Sequence, residues 1–251
     1  MSADPAIQER LVAEIPGFAE RDRVCPACGG AGVVRDTAFV VPSTGIAAAG
    51  RSHHVREVIP CDACAEKPSA ELLLRQSGLP APMRSWTFAT FAGDQLACAT
   101  VSIWVGLVAS GDSRSMLLAG GNGRGKTGLA AAAVNALCEA GIAVRFVVVR
   151  DMLQEIRRRF ADDSADAYRD QLRAAPVLIL DDVTALKVTE WAEESILGLI
   201  DGRLADGRPT LVTTHSSPKD IEEKLGAPTA DRLKQYEAVV VRGESMRGHG
   251  Q

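Results

Sequence analysis

The chain has few aromatic residues: Trp, Tyr and Phe together make up 4% of its 251 positions. An extended base-stacking platform for nucleic acid, which needs several aromatic faces in a row, is therefore not expected. Long apolar runs are missing too. The longest, LACATVSIWVGLVAS from Leu96 to Ser110, falls short of the roughly 20 residues that a bilayer-spanning helix needs, so no membrane contact is expected. The N-terminal MSADPAIQER lacks the apolar stretch of a secretory signal, which implies a cytoplasmic protein with reduced thiols. Excess positive charge is absent as well. With a formal net charge of −4, any contact with a polyanion must come from a local patch rather than a basic coat. There is no internal repeat, heptad run or low-complexity tail.

What is present is enough apolar material, 46%, for a buried core, in a chain long enough for one sizeable domain and a small module. Five short apolar runs read as buried strands: SMLLAG (115–120), AVRFVVV (143–149), APVLILDD (175–182), PTLVTT (209–214) and EAVVVR (237–242). Helical periods at 126–140, 151–160, 165–174, 189–206 and 219–225 separate them. Buried strands alternating with helices predict an α/β fold whose five-stranded parallel sheet is covered on both faces. Upstream, SAELLLRQSGL has helical period and stops at PAP.

The segment Gly120, Gly121, Asn122, Gly123, Arg124, Gly125, Lys126, Thr127 and Gly128 contains G-x-x-x-x-G-K-T without a gap, between an expected strand and an expected helix. Glycines let the backbone turn its N–H groups inward and let phosphate oxygens approach. In that setting Lys126 would reach the β- and γ-phosphates of ATP, and Thr127 would hold Mg²⁺. A second acid is needed for the metal, and LILDDV supplies Asp181 and Asp182 at the end of a buried strand. Asp181 fits the metal-side carboxylate and Asp182 the base that orients the attacking water. At the tip of the next strand, Thr214 and His215 are both candidates for contact with the γ-phosphate or the water.

These phrases occur in company. CPACGGAGVV and VIPCDAC, then GLPAPMRSWTFATF, GGNGRGKTGLA, LILDDV, TEWAEESILGLIDGRLADGRPTLVTTH and TADRL follow in that order. The series resembles the AAA+ helicase loaders of the DnaC/DnaI type, with the transposition helper IstB as a close relative, from Cys25 to about Arg242. The resemblance implies a P-loop AAA+ core without a C-terminal lid, since the chain ends soon after the fifth expected strand. It implies a slow ATPase that loads a replicative DnaB-type helicase onto single-stranded DNA and assembles as an ATP-dependent homo-oligomer. His215 takes the sensor position, where relatives often have Asn. Asp182 stands where AAA+ proteins often have the longer Glu. By sequence alone Arg232 in ADRL reads better as an ordinary surface arginine on a helix; the resemblance makes it match the arginine finger that completes a neighbouring subunit's site. The expected division is a zinc-binding partner module at 1–68, a linker at 69–94 and the ATPase domain at 95–251.

Six cysteines fall into two classes. Cys98 and Cys138 stand alone in apolar surroundings and read as buried packing. Cys25 and Cys28, then Cys61 and Cys64, form two C-x-x-C pairs that flank AGVVRDTAFVV and HHVREVIP, the expected arms of a hairpin. Two such knuckles bring four thiolates to one tetrahedral, structural Zn²⁺, whereas a redox role would favour a single pair in a βα setting. The N-terminal IQERLVAEIPGF places Ile7, Leu11 and Ile15 on one helical face, either toward a partner or over the hairpin.

Positive charge gathers at Arg145, Arg150, Arg157, Arg158 and Arg159. This is either a phosphate-binding patch or a solvated face balanced by Asp162, Asp163 and Asp166. Phe88 and Phe91 read as core packing, with an adenine contact as the alternative. Three rivals to the loader stand. The first is a transposition helper acting on duplex DNA. The second is a small-molecule P-loop kinase, disfavoured because its zinc-bearing lid would follow the P-loop rather than precede it. The third is a binding module for which ATP is only a switch.

Overall fold

The computed structural model describes residues 33–41, 53–60, 69–184 and 189–246, and the chain divides into two compact units, Met1–Lys67 and Pro68–Gln251. In the first unit β1 (Val33–Val41) pairs antiparallel with β2 (His53–Pro60). Val41 lies opposite His53 and Val33 opposite Pro60, with a register shift between Val33 and Arg35. Cys25, Cys28, Cys61 and Cys64, and the expected helical face of Ile7, Leu11 and Ile15, lie outside the described residues.

The second unit holds a five-stranded sheet. Its strands are β3 (Met116–Ala119), β4 (Val144–Val148), β5 (Val177–Asp181), β6 (Thr210–Thr214) and β7 (Glu237–Val240), arranged β4-β5-β6-β3-β7 and all parallel. The strand period of two sorts the side chains onto two buried faces. Met116, Leu118, Phe146, Ile179 and Leu211 pack with Leu73 of α1 (Ala70–Gln76), Trp104 of α2 (Gln95–Ala109) and Leu137 of α3 (Lys126–Glu139). On the other face Leu117, Leu178, Leu180 and Val212 meet Ile156 of α4 (Val149–Arg159) and Leu172 of α5 (Ala165–Ala174). Ile200 of α6 (Glu190–Ala205) and Leu225 of α7 (Pro218–Leu233) complete that layer. In α3 the run Ala130, Ala131, Ala132 and Ala133 is wholly buried, alongside Leu129, Val134 and Leu137.

Residues 69–94 belong to this unit rather than standing apart. Ser69 caps α1 by accepting from Leu72 N–H, Leu73 and Leu79 are buried, and Phe146 N–H of β4 donates to Ser77 C=O at 2.7 Å. Cys98 and Cys138 are buried, and burial lifts the Cys138 thiol to about 11. Among the described residues no helix is long and apolar enough to cross a membrane.

Several element ends differ from the sequence reading, two of them for a clear backbone reason. β5 ends at Asp181, because Asp182 already has a left-handed backbone (φ 58°). The last helix continues beyond 225 to Leu233, broken by a kink at Gly226 (φ 75°). The second half restarts there, and Pro228 falls in its first turn, where a missing N–H costs no helical bond.

One buried cation organises the edge opposite the P-loop. Arg203 of α6 is fully buried. Its guanidinium donates to the carbonyls of Leu172, Arg173 and Ala175 at the end of α5, to Pro209 C=O and to Thr210 Oγ1, at 2.7–3.0 Å. A helix C-terminus, negative by its dipole, thus serves where a carboxylate would usually pair the charge. Burial pulls the Arg203 pKa down to about 10, which leaves it charged at neutral pH. Arg203→Ala should cost on the order of 3 kcal/mol or more in urea unfolding, because several buried carbonyls lose their donor at once. Arg203→Lys should recover only part of that, since an ammonium cannot span the same fork; a loss below about 1 kcal/mol for the alanine variant would show the cluster to be dispensable.

Candidate functional site

β3 lies inside the sheet, between β6 and β7, yet the chain leaving it through α3 arrives at β4 on the far edge. Connections thus depart to opposite sides of β3, the arrangement that opens a crevice beyond the C-terminal ends of parallel strands. The loop from β3 to α3 borders that crevice. Gly120 is required here: its φ is 151°, and a side chain would run into Val241 C=O, because Val241 N–H donates to Ala119 C=O at 2.7 Å. Gly125 takes a left-handed conformation (φ 91°, ψ 10°) as the N-cap of α3 and offers no capping side chain. By contrast, Ser69, Asp94, Thr189 and Ser217 cap α1, α2, α6 and α7 with side-chain oxygens. The amides at the start of α3 are thereby left for an anion, and the helix dipole favours one.

Lys126 folds back across the loop, its Nζ donating to the carbonyls of Gly120 and Gly121 at 2.9 Å each. Thr127 Oγ1 donates to both carboxylate oxygens of Asp181, 3.1 Å away across 54 residues of sequence. Asp181 is buried. Burial raises its pKa above the ordinary carboxylate value, opposed by the hydrogen bonds from Thr213 and Thr127. A buried carboxylate held mainly by hydroxyls is a receptive partner for a divalent cation, so the residues present fit a nucleoside triphosphate with Mg²⁺.

Beside it, Thr213 Oγ1 donates to Asp181 Oδ1 (2.6 Å) and accepts from Asp182 N–H (2.9 Å). His215 Nδ1 lies 2.9 Å from Asp182 Oδ1. A cavity of about 480 Å³ gathers Asn122, Gly123, Gly125, Lys126, Thr127 and Gly128 with Asp182, Thr213 and His215. Its apolar wall is Met83, Trp86, Phe91 and Met246. Gly120, Gly121 and Asp181 lie outside this lining, and Arg124 faces another groove with Asp94 and Arg242.

Other sequence candidates fall elsewhere. Arg232, near the end of α7, is paired with Asp201 and is not among the residues lining the cavity. Phe88 packs against the core, while Phe91 does so and also lines the cavity. In the basic patch, Arg158 and Arg159 form ion pairs with Glu155, and Arg145 donates to Gln76 C=O. The Asp162 carboxyl is lowered first by hydrogen bonds from Ser164 and also by the charges of Arg158 and Arg159. Aromatic rings also meet these arginines from distant positions. Arg157 stacks over Trp191 at 4.6 Å, Arg159 over Tyr168 at 4.7 Å, and Phe160 packs edge-on to Trp191.

Sequence reasoning missed Thr213, Trp86 and Met246. Thr213 shares the face of Leu211, the face that packs on α3, but the alternation in sequence does not say which face that is. Thr214 points the other way, 2.8 Å from Thr184 Oγ1, and also accepts from Ser216 N–H. Nothing in the local pattern around Met246 foretells that its N–H bonds Gly123 C=O at 2.8 Å.

A P-loop on an α/β sheet of this order, with a buried carboxylate under its threonine, defines a P-loop nucleotide-binding protein of the AAA+ kind. The model of the IstB-like ATP binding protein family matches residues 69–251, and the chain belongs to that family. It is similar to the replicative helicase loader DnaI of Bacillus subtilis, 27% identical over 45% of this chain and 37% of that protein. It is similar also to the replicative helicase loader DnaC of Escherichia coli, 26% identical over 49% of this chain and 51% of the relative. An insertion-sequence ATP-binding protein of Pseudomonas fluorescens is 32% identical over 44% of this chain and 49% of its own length. The matches therefore span about half of these relatives or less. Among solved structures, a DnaC helicase loader superimposes with a TM-score of 0.61 at 21% identity, covering 65% of this chain and all of that one. A DnaI structure does so with 0.58 at 18%, covering 68% of this chain and 95% of that one.

Thr213→Val should weaken binding of ATP with Mg²⁺ by about tenfold, because Asp181 loses a donor and Asp182 N–H its acceptor. Thr214→Val, altering the opposite face of β6, should change it by less than about threefold. Titration calorimetry with and without Mg²⁺ reads both, and equal effects would mean that the strand face does not matter.

Proposed function

We propose that this protein is an ATP-hydrolysing loader that places a replicative DnaB-type helicase on single-stranded DNA in the cytoplasm. The observation that carries the ATPase part is the link from Thr127 through Asp181 and Thr213 to Asp182, which joins an uncapped P-loop helix to a second carboxylate facing the cavity. The amides from Asn122 to Gly128 and Lys126 bind the phosphates, while Met83, Trp86 and Phe91 border the base. Thr127 and Asp181 would hold Mg²⁺, which would supply charge neutralisation at the phosphates. Asp182 orients the attacking water and takes its proton, and His215 steadies Asp182. Asp is shorter than the Glu often found here, so turnover is slow. Similarity to DnaI and DnaC supports the loader role.

Arg232 supports assembly of copies into a homo-oligomer. The helix α7 leaves the C-terminal end of β6 and returns to the N-terminal end of β7, so Arg232 is far from its own cavity and, released from Asp201, serves a neighbour's. Single-stranded DNA is assigned to the arginines and aromatics around Arg157 and Trp191. The four cysteines hold a structural Zn²⁺. Their support is the hairpin register, in which Pro60, just before Cys61, lies opposite Val33, shortly after Cys28. The module at 1–68 then grips the partner.

The IstB-like family match and the insertion-sequence relative favour a second reading, a transposition helper acting on duplex DNA with a transposase. Co-purification with the host's replicative helicase, with and without ATP, is expected under the first reading. Capture of a transposase in its place would reverse the choice.

Two biochemical outcomes are expected. Lys126→Ala abolishes DNA-stimulated ATP hydrolysis and Arg232→Ala lowers it with ATP binding intact; mixing the two variants restores part of the rate, since one supplies the finger and the other the site. An unchanged rate in Lys126→Ala removes the enzyme claim, and no recovery on mixing removes the finger. Metal analysis should find about one zinc per chain, lost in Cys61→Ser while ATP binding persists; a zinc-free native protein would remove the metal module.

A further inference from the structure

His215 is held from both sides of its ring. Nδ1 lies 2.9 Å from Asp182 Oδ1, and Nε2 lies 3.5 Å from Lys224 Nζ on α7. Lys224 is itself anchored, its Nζ donating to Ser216 Oγ at 3.0 Å. An ammonium can only donate and an ionised carboxylate can only accept. The neutral ring with its hydrogen on Nδ1 satisfies both neighbours: Nδ1–H donates to Asp182 and the Nε2 lone pair accepts from Lys224. The other tautomer sets a lone pair against the carboxylate and an N–H against the ammonium.

A competitor for Nδ1 stands close by. Thr184 Oγ1 is 3.4 Å from it, and its hydroxyl can donate to a bare Nδ1. In that arrangement Asp182 loses its donor. The backbone of Asp182 is fixed independently, by its left-handed conformation and by its N–H bond to Thr213. The direction of its carboxylate therefore depends on the side-chain partner, His215.

We propose that Lys224 is a positioning residue for ATP hydrolysis: it selects the Nδ1–H tautomer of His215, and that tautomer keeps the Asp182 carboxylate turned toward the cavity. The inference rests on the reading of Asp182 as the base in the proposed ATPase. Lys224 touches neither nucleotide nor water in this role. It acts two links away, from a helix whose far end carries Arg232.

The test uses the full chain labelled with ¹⁵N-histidine, at about pH 8, above the ordinary histidine range. Signals of His215 are identified by their loss in His215→Asn. In the native protein Nδ1 should show the shift of an N–H nitrogen and Nε2 that of a bare one. Lys224→Met should move the ring toward Nε2–H, and Lys224→Arg should preserve the native pattern. In parallel, Lys224→Met should lower kcat by about tenfold with KM for ATP nearly unchanged, and Lys224→Arg should restore most of it. An Nε2–H ring in the native protein, a pattern indifferent to Lys224→Met, or a shifted tautomer with unchanged kcat each overturns the proposal. Absence of any turnover in the native protein would instead sink the ATPase reading, while the nitrogen shifts still decide the tautomer.

Discussion

Asp181 is a carboxylate taken almost wholly out of water, and much of the site is arranged around the cost of that burial. Two hydroxyls answer it, Thr127 from the first turn of α3 and Thr213 from β6. Three separate pieces of chain are tied together at one point as a result: the P-loop helix, the strand ending in Asp181 and the strand beside it. Thr213 passes the constraint on, because the same hydroxyl accepts the N–H of Asp182 and so helps hold its left-handed backbone. Asp is among the few residues that adopt this conformation at small cost, which suits the position.

Segments from outside the sheet converge on the same cavity. Asp94 caps α2 and also accepts from Arg242 N–H, which holds the Asp94 carboxyl below its ordinary value. The chain beyond β7 is thereby drawn across the loop, where Met246 N–H meets Gly123 C=O. Trp86 is fixed from below, its C=O accepting from Asn135 of α3. On the opposite flank, α7 brings Lys224 to His215 before its kink at Gly226 and carries Arg232 away after it. A change in the angle of that kink would alter both ends together.

Much of this architecture was legible beforehand. Short runs such as VLIL and LLA have no polar position to expose, so both sheet faces had to be covered, and helices between them required parallel strands. The P-loop could be read because its chemistry is local: glycines, lysine and threonine act within one turn of chain. The position of Asp181 and Asp182 at a strand end was legible for the same reason. Element ends were less readable. The helix after β6 was expected to stop near Gly226, yet it restarts, because a glycine can turn the chain and a proline is tolerated in a first turn. Among the charges near the arginines at 157–159, Asp162 could be named from sequence as a balancing charge, but Glu155, brought to two of them by a helical turn, was missed.

Local pattern settled the class of fold, and it put the glycine-rich loop between a strand and a helix and two acids at a strand end, since each follows from residue type and short-range periodicity. It could not say which threonine of the pair 213 and 214 faces Asp181, because that depends on which side of β6 lies against α3. Nor could it bring Lys224 to His215, Met246 to Gly123 or the carbonyls of α5 to Arg203, contacts that depend on how α5, α6 and α7 and the last residues pack. Hydrogen bonds reach only about 3 Å, so partners distant in sequence are chosen by packing, and packing belongs to the whole chain.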